Sequence, residues 1–163
     1  GSVPNEDATQ CDLCDPGTSS PQGASTCNSC ESGKVAETTG SASCGFCSKG
    51  SIPNDDGTQC LECEAMHGVG LTSLEGSSEC DTATKYHYFD ANEGLPKPCP
   101  DGGDCDVEGT VIATIKALDG YFRFSKTTAI FYPCTTDNCM AMGNFSGCKE
   151  GSGGALCAVC EGE

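Results

Sequence analysis

The stretch CDLCDPGTSSPQGASTCNSCESGKVAETTGSASCGFCSKGSIPNDDGTQCLEC, residues 11–63, repeats a CxxC pair at steps of 16, 17 and 16 residues. Most pairs are followed by a glycine-bearing turn, and each is preceded by a polar segment. Self-similarity at a short, fixed period indicates an array of small units that cannot bury a core of their own. The polar segments predict short two-stranded turns rather than helices. The pairs are Cys11/Cys14, Cys27/Cys30, Cys44/Cys47 and Cys60/Cys63.

The composition is that of a disulfide scaffold. The chain has 163 residues, among them 16 cysteines, 22 glycines and no tryptophan. A chain so poor in large side chains buries little apolar surface, so covalent links must carry much of its stability. This cysteine density is typical of secreted or cell-surface proteins, because the cytosol keeps thiols reduced. The sequence predicts a small, disulfide-rich, mostly β or irregular fold: an elongated array of short cross-linked repeats plus a small antiparallel β nodule.

The charge and hydropathy exclude several classes of partner. The net charge of −16 would repel a phosphate backbone or an anionic membrane surface, so we expect no nucleic-acid binding. No run of eighteen apolar residues occurs, so we expect no membrane insertion within this chain. The first residues have neither the basic region nor the apolar stretch of a signal peptide, so we expect a targeting sequence upstream.

Three chemistries suit CxxC pairs. The spacing C-x2-C-x12-C-x2-C is compatible with tetrahedral zinc, and a redox motif would need a low-pKa thiol at a helix N-terminus. The uniform spacing of the CxxC pairs along residues 11–63, which we call the ladder, favours disulfides. In these disulfides the second cysteine of one pair bonds to the first cysteine of the next. Direct bridges within each CxxC are the second choice. The favoured pairs are Cys14–Cys27, Cys30–Cys44, Cys47–Cys60 and Cys63–Cys80.

The rhythm and glycines of Cys11 to Cys80 resemble the ephrin-receptor-like cysteine-rich repeat, a small module with CxxCxxG punctuation. The resemblance implies a module found in tandem in receptor ectodomains and in very large surface proteins of algae and other protists. Residues 120–160 are similar to the segment that often follows such repeats in the protist proteins. CKEGSGGALC, residues 148–157, resembles the last loop of an epidermal-growth-factor-like module, and this likeness implies a Cys148–Cys157 disulfide.

The pairing scheme leaves Cys11 and Cys160 without partners in one copy. GSVPNEDATQC at 1–11 is nearly repeated as GSIPNDDGTQC at 50–60. If the two ends of the chain are joined, 13 residues separate Cys160 from Cys11, which falls within the ladder's own loop lengths. We therefore expect one period of a tandem repeat, or one protomer that contacts copies of itself head to tail through a Cys11–Cys160 junction disulfide. The alternative is a truncated chain whose ends fall at similar positions by coincidence.

The composition changes near residue 85, after which nearly all of the aromatic residues lie. This change predicts tandem cysteine-rich repeats over 1–84 and a β-containing nodule over 85–163. Alternating and aromatic segments predict a three-strand antiparallel meander at about 110–118, 121–125 and 129–133. We expect its small core to contain Phe122, Phe124, Ile130 and Tyr132. Three pairings remain open for the other cysteines of this half: Cys99, Cys105, Cys134 and Cys139.

Two further motifs suggest sites. PDGGDCDVEG places four carboxylates within eight residues, which suits Ca²⁺ as well as an ordinary acidic loop. The sequon NFS makes Asn144 a candidate for N-glycosylation in a secreted chain. We expect no cofactor other than calcium at this candidate site. Its residues are Asp101, Asp104, Asp106 and Glu108.

No Ser–His–Asp pattern, phosphate-binding glycine loop or paired-carboxylate cleft is recognisable, so we expect no enzymatic activity. The sequence favours a structural extracellular protein that forms a fibre, hair or coat, with copies of itself and glycans as partners. The alternative function is a ligand-binding ectodomain fragment of a receptor or adhesion protein.

Overall fold

The computed structural model describes residues 1–142 and 145–160, the side chains of Phe145 and Cys160 excepted. The described residues form short strands, turns and irregular segments with almost no helix. Seven disulfides cross-link them. The predicted fold class, small, disulfide-rich and mostly β or irregular, is confirmed.

The chain divides into two compact units, unit 1 (Gly1–Asp81) and unit 2 (Thr82–Glu163). The division lies close to the boundary expected after residue 84. Unit 1 holds the CxxC ladder, and unit 2 holds all of the tyrosines. Each unit is built from two-stranded antiparallel hairpins that follow one another along the chain.

Unit 1 contains four such hairpins, with strands of two or three residues that could not hold together without cross-links. A helix of five residues, α1 at Cys63–His67, follows them and departs from the expectation of no helices. Strand β9 at Leu71–Thr72 comes next. The strand pairs are β1 Ser2–Pro4 with β2 Cys11–Leu13 (hairpin 1), β3 Thr18–Ser19 with β4 Asn28–Ser29 (hairpin 2), β5 Lys34–Val35 with β6 Gly45–Phe46 (hairpin 3), and β7 Ser51–Pro53 with β8 Cys60–Glu62 (hairpin 4).

One backbone hydrogen bond closes the open end of each hairpin in unit 1. The second cysteine of a CxxC pair donates its N–H to the carbonyl of the glycine before the first strand, over 2.9–3.2 Å. Gly17, Gly33 and Gly50 have φ of +80°, +82° and +89°, a conformation that glycine adopts without steric cost. This geometry explains the glycine three residues after each of the first three CxxC pairs. The bonded pairs are Cys14 with Gly1, Cys30 with Gly17, Cys47 with Gly33 and Cys63 with Gly50.

Disulfides tie successive segments of unit 1 together. Their Cα atoms lie 5.6–5.7 Å apart. Cys14, Cys47 and Cys63 are at most 1% exposed, so the cystines themselves fill the interior where larger side chains are missing. The bonds join the pairs that the ladder favours: Cys14–Cys27, Cys30–Cys44, Cys47–Cys60 and Cys63–Cys80.

The disulfide loops of unit 1 stack backbone against backbone. A Cβ atom on Gly17 would lie 2.2 Å from the carbonyl oxygen of Asp56, and one on Gly33 would lie 2.0 Å from that of Gly76. In both cases the contacted loop is two disulfides further along the chain. Neither contact leaves room for a side chain, so glycine is required at both positions for packing as well as for φ.

Unit 2 begins with strand β10 at Thr82–Ala83 and continues with five hairpins among its described residues. Two 3₁₀ turns, Ile112–Thr114 and Ala155–Cys157, lie between strands. The strand pairs are β11 His87–Asp90 with β12 Leu95–Pro98 (hairpin 5), β13 Gly103–Asp104 with β14 Lys116–Ala117 (hairpin 6), β15 Tyr121–Phe122 with β16 Tyr132–Pro133 (hairpin 7), β17 Cys139–Met142 with β18 Phe145–Cys148 (hairpin 8), and β19 Ser152–Gly153 with β20 Val159–Cys160 (hairpin 9).

The predicted three-strand meander is wrong. Residues 110–118 do not form one strand beside 121–125, because β14 pairs back with β13 and a 3₁₀ turn precedes it. Hydrogen bonds of the same kind as those that close the hairpins of unit 1 also occur in unit 2. Leu118 donates its N–H to the carbonyl of Gly102, and Cys134 donates its N–H to that of Gly120, both over 2.8 Å. The first bond closes hairpin 6 at the start of the LDGY turn, residues 118–121, and the second closes hairpin 7, whose first strand begins at the end of that turn. The LDGY turn therefore lies between two hairpins and does not join two strands of one meander.

The predicted core of unit 2 is also wrong. Phe124, Ile130 and Tyr132 are 58%, 55% and 42% exposed, and Phe122 is half-buried. Strand β16 turns its neighbour Phe131 inward, so the residues on either side of Phe131 face outward. The buried cluster is Tyr88, Cys105, Ile115, Ala117 and Phe131.

Candidate functional site

The repeated sequence of residues 1–11 and 50–60 folds as the same hairpin twice. In hairpin 1 the Asn5 Oδ1 atom accepts the N–H groups of Thr9 and Gln10 over 2.9 and 3.1 Å. In hairpin 4 Asn54 accepts the N–H groups of Thr58 and Gln59 over 2.8 and 3.2 Å. Local sequence therefore fixes the turn in both places, and the two hairpins can be compared position by position.

Hairpins 1 and 4 also pack in the same way on the segment that follows them. The buried Ser20 donates from its Oγ to the carbonyl of Ser2 in β1, over 3.1 Å. The buried Ser73 donates in the same way to Ser51 in β7, over 2.9 Å. The two hairpins thus share their turn, their closing bond and their onward contact.

The cysteine at the start of the second strand distinguishes the two hairpins. Cys60 in hairpin 4 is bonded to Cys47, 13 positions earlier. Cys11 occupies the same place in hairpin 1, but it is exposed and has no disulfide partner among the described residues. By analogy with the Cys47–Cys60 bond, the ladder predicts for Cys11 a partner from a segment placed before hairpin 1.

A surface recess of about 430 Å³ lies against Cys11. Ser2, Pro4, Pro21 and Ala24 are among the residues that line it. The side chain of Cys160, the partner that the sequence predicts for Cys11, lies outside the described residues, as does the candidate glycosylation site Asn144.

The remaining cysteines of unit 2 pair locally. Cys148 is bonded to Cys157, the pair that the growth-factor-like loop implies. Of the three pairings left open for the other four cysteines, the structure forms Cys99–Cys105 and Cys134–Cys139, with sequence separations of 6 and 5.

The acidic loop does not assemble a cation site. Within residues 1–142 and 145–160, no group of three or more His, Cys, Asp or Glu side chains converges as metal ligands would. Asp104 instead accepts the backbone N–H of Asp106 over 3.0 Å, and Asp106 lies 3.6 Å from the ammonium of Lys85. The alternative that this loop binds calcium through Asp101, Asp104, Asp106 and Glu108 is therefore not supported by the geometry of the described residues.

An ion-pair cluster stabilises hairpin 5. The Lys97 Nζ atom lies 3.0 Å from the buried carboxylate of Asp90 and 2.5 Å from Glu93. The hydrogen bond from Lys97, together with the N–H of Asn92, holds the pKa of Asp90 below its usual value. The carboxylates of Glu93 and Asp90 in turn raise the pKa of Lys97.

We expect acid to remove the contribution of this cluster to stability. A carboxyl group with a lowered folded-state pKa stabilises above its unfolded value of about 3.9, and the gain is lost as pH falls through the folded value. The raised pKa of Lys97 gives stability below about pH 10.4 that is lost as pH rises through its folded value. The destabilisation caused by Lys97→Met, followed by tyrosine fluorescence in denaturant, should therefore shrink as pH falls from about 5 to 2. Lys149→Met, which removes an exposed lysine outside the cluster, is the control, and a Lys97→Met effect that stays constant over this range would contradict the assignment.

Sequence reasoning missed Arg123, the one arginine of the chain. Arg123 is 3% exposed, and burial lowers the pKa of its guanidinium. It donates five hydrogen bonds to the backbone carbonyls of Ile112, Ile115, Lys126 and Thr128, over 2.5–3.1 Å. No local signal marks it, because the alternation in YFRF predicts that Arg123 points away from Phe122 and Phe124 and into solvent.

No protein-family model matches the chain, and no curated protein matches it. No helix among the described residues is both long enough and apolar enough to cross a membrane. The site must therefore be interpreted from its own geometry.

Proposed function

We propose that the chain is a structural extracellular protein, one period or protomer of a head-to-tail, disulfide-linked fibre, hair or coat. The observation that carries the proposal is the exposed thiol of Cys11 in a hairpin whose counterpart, hairpin 4, has Cys60 bonded to Cys47. A Cys160–Cys11 bond between successive copies would continue the ladder with the same spacing.

Three further features support this proposal. Seven disulfides suit an oxidising, extracellular compartment. The net charge of −16, with a glycan at Asn144, would keep such an assembly hydrated. A head-to-tail contact uses two different surfaces, so it propagates into a filament unless its rotation closes a ring. The likeness of residues 11–80 to ephrin-receptor-like repeats of large surface proteins points to the same kind of role.

Mixing two single variants tests the direction of the junction. Cys11→Ser retains only Cys160 for the junction, and Cys160→Ser retains only Cys11. We expect the oxidised wild-type protein to give a series of disulfide-linked oligomers on non-reducing gels. Each variant alone should stay monomeric, and an equimolar mixture should stop at dimers, because each dimer has used both available thiols.

Other patterns would contradict the proposal. Dimers formed by Cys160→Ser alone would show a symmetric Cys11–Cys11 bond, which closes after one contact. Wild-type protein that remains monomeric under oxidising conditions, with both thiols reactive to alkylation, would remove the covalent junction altogether.

A further inference from the structure

Three disulfide loops of unit 1 contain the same turn, with a glycine four residues before the cysteine that closes the loop. The segments are PQGASTC, TTGSASC and LEGSSEC, and their glycines have φ of +83°, +78° and +73°. In the first and third segments, the residue after the glycine donates its N–H to the carbonyl three residues earlier, over 3.1 Å. We call these glycines the turn glycines: Gly23, Gly40 and Gly76.

Two of the turn glycines are covered by an earlier hairpin. Each donates its N–H to the carbonyl of the second cysteine of a CxxC pair, over 2.7 and 3.0 Å. The apolar residue before that cysteine lies over the glycine, so that a Cβ atom on the glycine would be only 3.2 and 2.8 Å from its side chain. The contacts join Gly40 to Leu13 and Cys14, and Gly76 to Phe46 and Cys47.

Gly23 has the same turn without this cover. Among the described residues, nothing lies within 4 Å of a Cβ atom built on Gly23, and its N–H has no backbone acceptor. Gly23 also lines the recess beside Cys11, together with Gln22 and Ala24. It therefore presents the surface that hairpins cover at the other two turn glycines. In an array whose members contact their neighbours, a further member stacks on such a surface.

The Cys160–Cys11 junction would bring a matching cover to Gly23. Val159 directly precedes the second cysteine of its CxxC pair, as the two covering residues of unit 1 do. Its side chain is apolar and 58% exposed, so it is available to a second copy. Because Cys11 and Gly23 line the same recess, a bond from Cys160 to Cys11 places Val159 at that recess.

We propose that Gly23 is a docking site for Val159 of a second copy of this chain, so that the junction continues the loop stacking of unit 1. The inference rests on the head-to-tail junction proposed above. The Gly23 N–H donates to a backbone carbonyl of the incoming segment, and the Val159 side chain covers the glycine. Hairpin 9 is paired one residue later than hairpin 1, with Ser152 opposite Cys160, so the disulfide, and not superposition of the two hairpins, sets the position of Val159.

The test uses the mixed dimer of the two single variants. Cys160→Ser supplies the Gly23 surface with Cys11, and Cys11→Ser supplies Val159 with Cys160. In a glutathione buffer, the two thiols are oxidised to one disulfide while one glutathione disulfide is reduced to two thiols, so the dimer fraction gives an equilibrium constant. Val159→Ser should lower this constant roughly fivefold or more, because apolar contact is lost. Val107→Ser, which removes a 63%-exposed valine elsewhere in unit 2, is the control and should have little effect.

A second variant tests the other side of the contact. Gly23→Ala adds a Cβ atom that meets nothing within one copy but would meet Val159 in the dimer, so it should also lower the constant. Gly94→Ala, at another glycine with a positive φ and nothing within 4 Å, is its control and should leave the constant unchanged. A count of intact disulfides establishes that each variant is folded.

Hydrogen exchange reports the docking directly. In a mixed dimer in which only the Cys160→Ser copy carries ¹⁵N, the amide of Gly23 should exchange at least about fivefold more slowly than in the monomer. The amide of Gly40, already bonded to Cys14, is the internal reference and should exchange alike in both.

Failure of the docking and failure of the junction give different results. A mixed dimer that forms equally well with Val159→Ser, or in which Gly23 exchanges as fast as in the monomer, would overturn the docking and leave the disulfide junction in place. If no mixed dimer forms, both the junction and the docking are overturned.

Discussion

Replacing Gly33 with alanine is expected to destabilise unit 1 by roughly 3 kcal/mol or more. Gly33 has a φ of +82°, a conformation that costs a non-glycine residue about 1–2 kcal/mol. The added Cβ would also lie 2.0 Å from the carbonyl oxygen of Gly76 and 2.9 Å from its carbonyl carbon. Both contacted atoms belong to the backbone, so the clash can be relieved only by separating two stacked loops.

Gly23 offers a matched control for the backbone conformation. Its φ is +83°, but a Cβ there would meet nothing within 4 Å, so Gly23→Ala should cost only the conformational part. Hydrogen–deuterium exchange measures the difference locally, at the amide of Cys47, which donates to Gly33, and at that of Gly76, which donates to Cys47. Equal effects of the two alanine variants would show that the loops of unit 1 are not stacked this tightly.

Replacing Arg123 with methionine is expected to destabilise unit 2 by about 3–5 kcal/mol. The variant leaves four carbonyl groups without their donor. The bond to Ile115 is buried, and a buried carbonyl without a partner costs about 1–3 kcal/mol, whereas the other three carbonyls are partly accessible to water and cost less. It also removes the cation–π contact with Phe131, at a centroid distance of 5.1 Å. The loss should appear in tyrosine fluorescence, because all tyrosines lie in unit 2 and the chain has no tryptophan.

Two controls separate geometry from charge at Arg123. Arg123→Lys keeps a positive charge but lacks the planar, five-donor fork, so it should restore only a small part of the lost stability. Lys116→Met removes one exposed positive charge from the same unit and should change stability little. If Arg123→Lys were as stable as wild type, charge rather than the fixed fan of hydrogen bonds would explain the role of this residue.

The covalent framework of unit 1 could be read from the sequence because spacing alone determines it. A cysteine at one end of a loop of 12 to 16 residues can bond to the cysteine at the other end without long-range information, and the ladder repeats this choice four times. The glycines after the first three CxxC pairs also had a local cause, since each accepts a closing hydrogen bond at a position where φ is positive. The same local rules made the repeat of hairpin 1 in hairpin 4 visible.

The errors in unit 2 came from treating apolar pattern as if it determined strand pairing. The alternation of apolar residues in TVIATIKAL indicated one long strand. Only its second part alternates in that way, with Ile115 and Ala117 buried in the core, while Ile112–Thr114 before them form a 3₁₀ turn. In hairpin 7, Tyr121 pairs with Pro133 and Phe122 with Tyr132, and the ring of Phe131, just before β16, is the one that faces inward. Hydrogen bonds between distant residues set this register, and no local pattern reports them.

The stacking of loops in unit 1 and the position of Arg123 were equally invisible in the sequence. Gly33 meets the loop of Gly76 only after two disulfides have brought the segments together. The buried arginine binds carbonyl groups, which every residue carries, so no partner residue type marks its site. Features of this kind need the folded backbone.

Disulfide mapping of native material tests the central claim most directly. Non-reducing proteolysis with mass spectrometry should yield a peptide pair that joins Cys160 to Cys11, alongside the bonds Cys14–Cys27 and Cys47–Cys60 of the ladder. That pair would establish the head-to-tail array. Recovery of Cys11 as a free, alkylated thiol, or in a bond to any other cysteine, would contradict it.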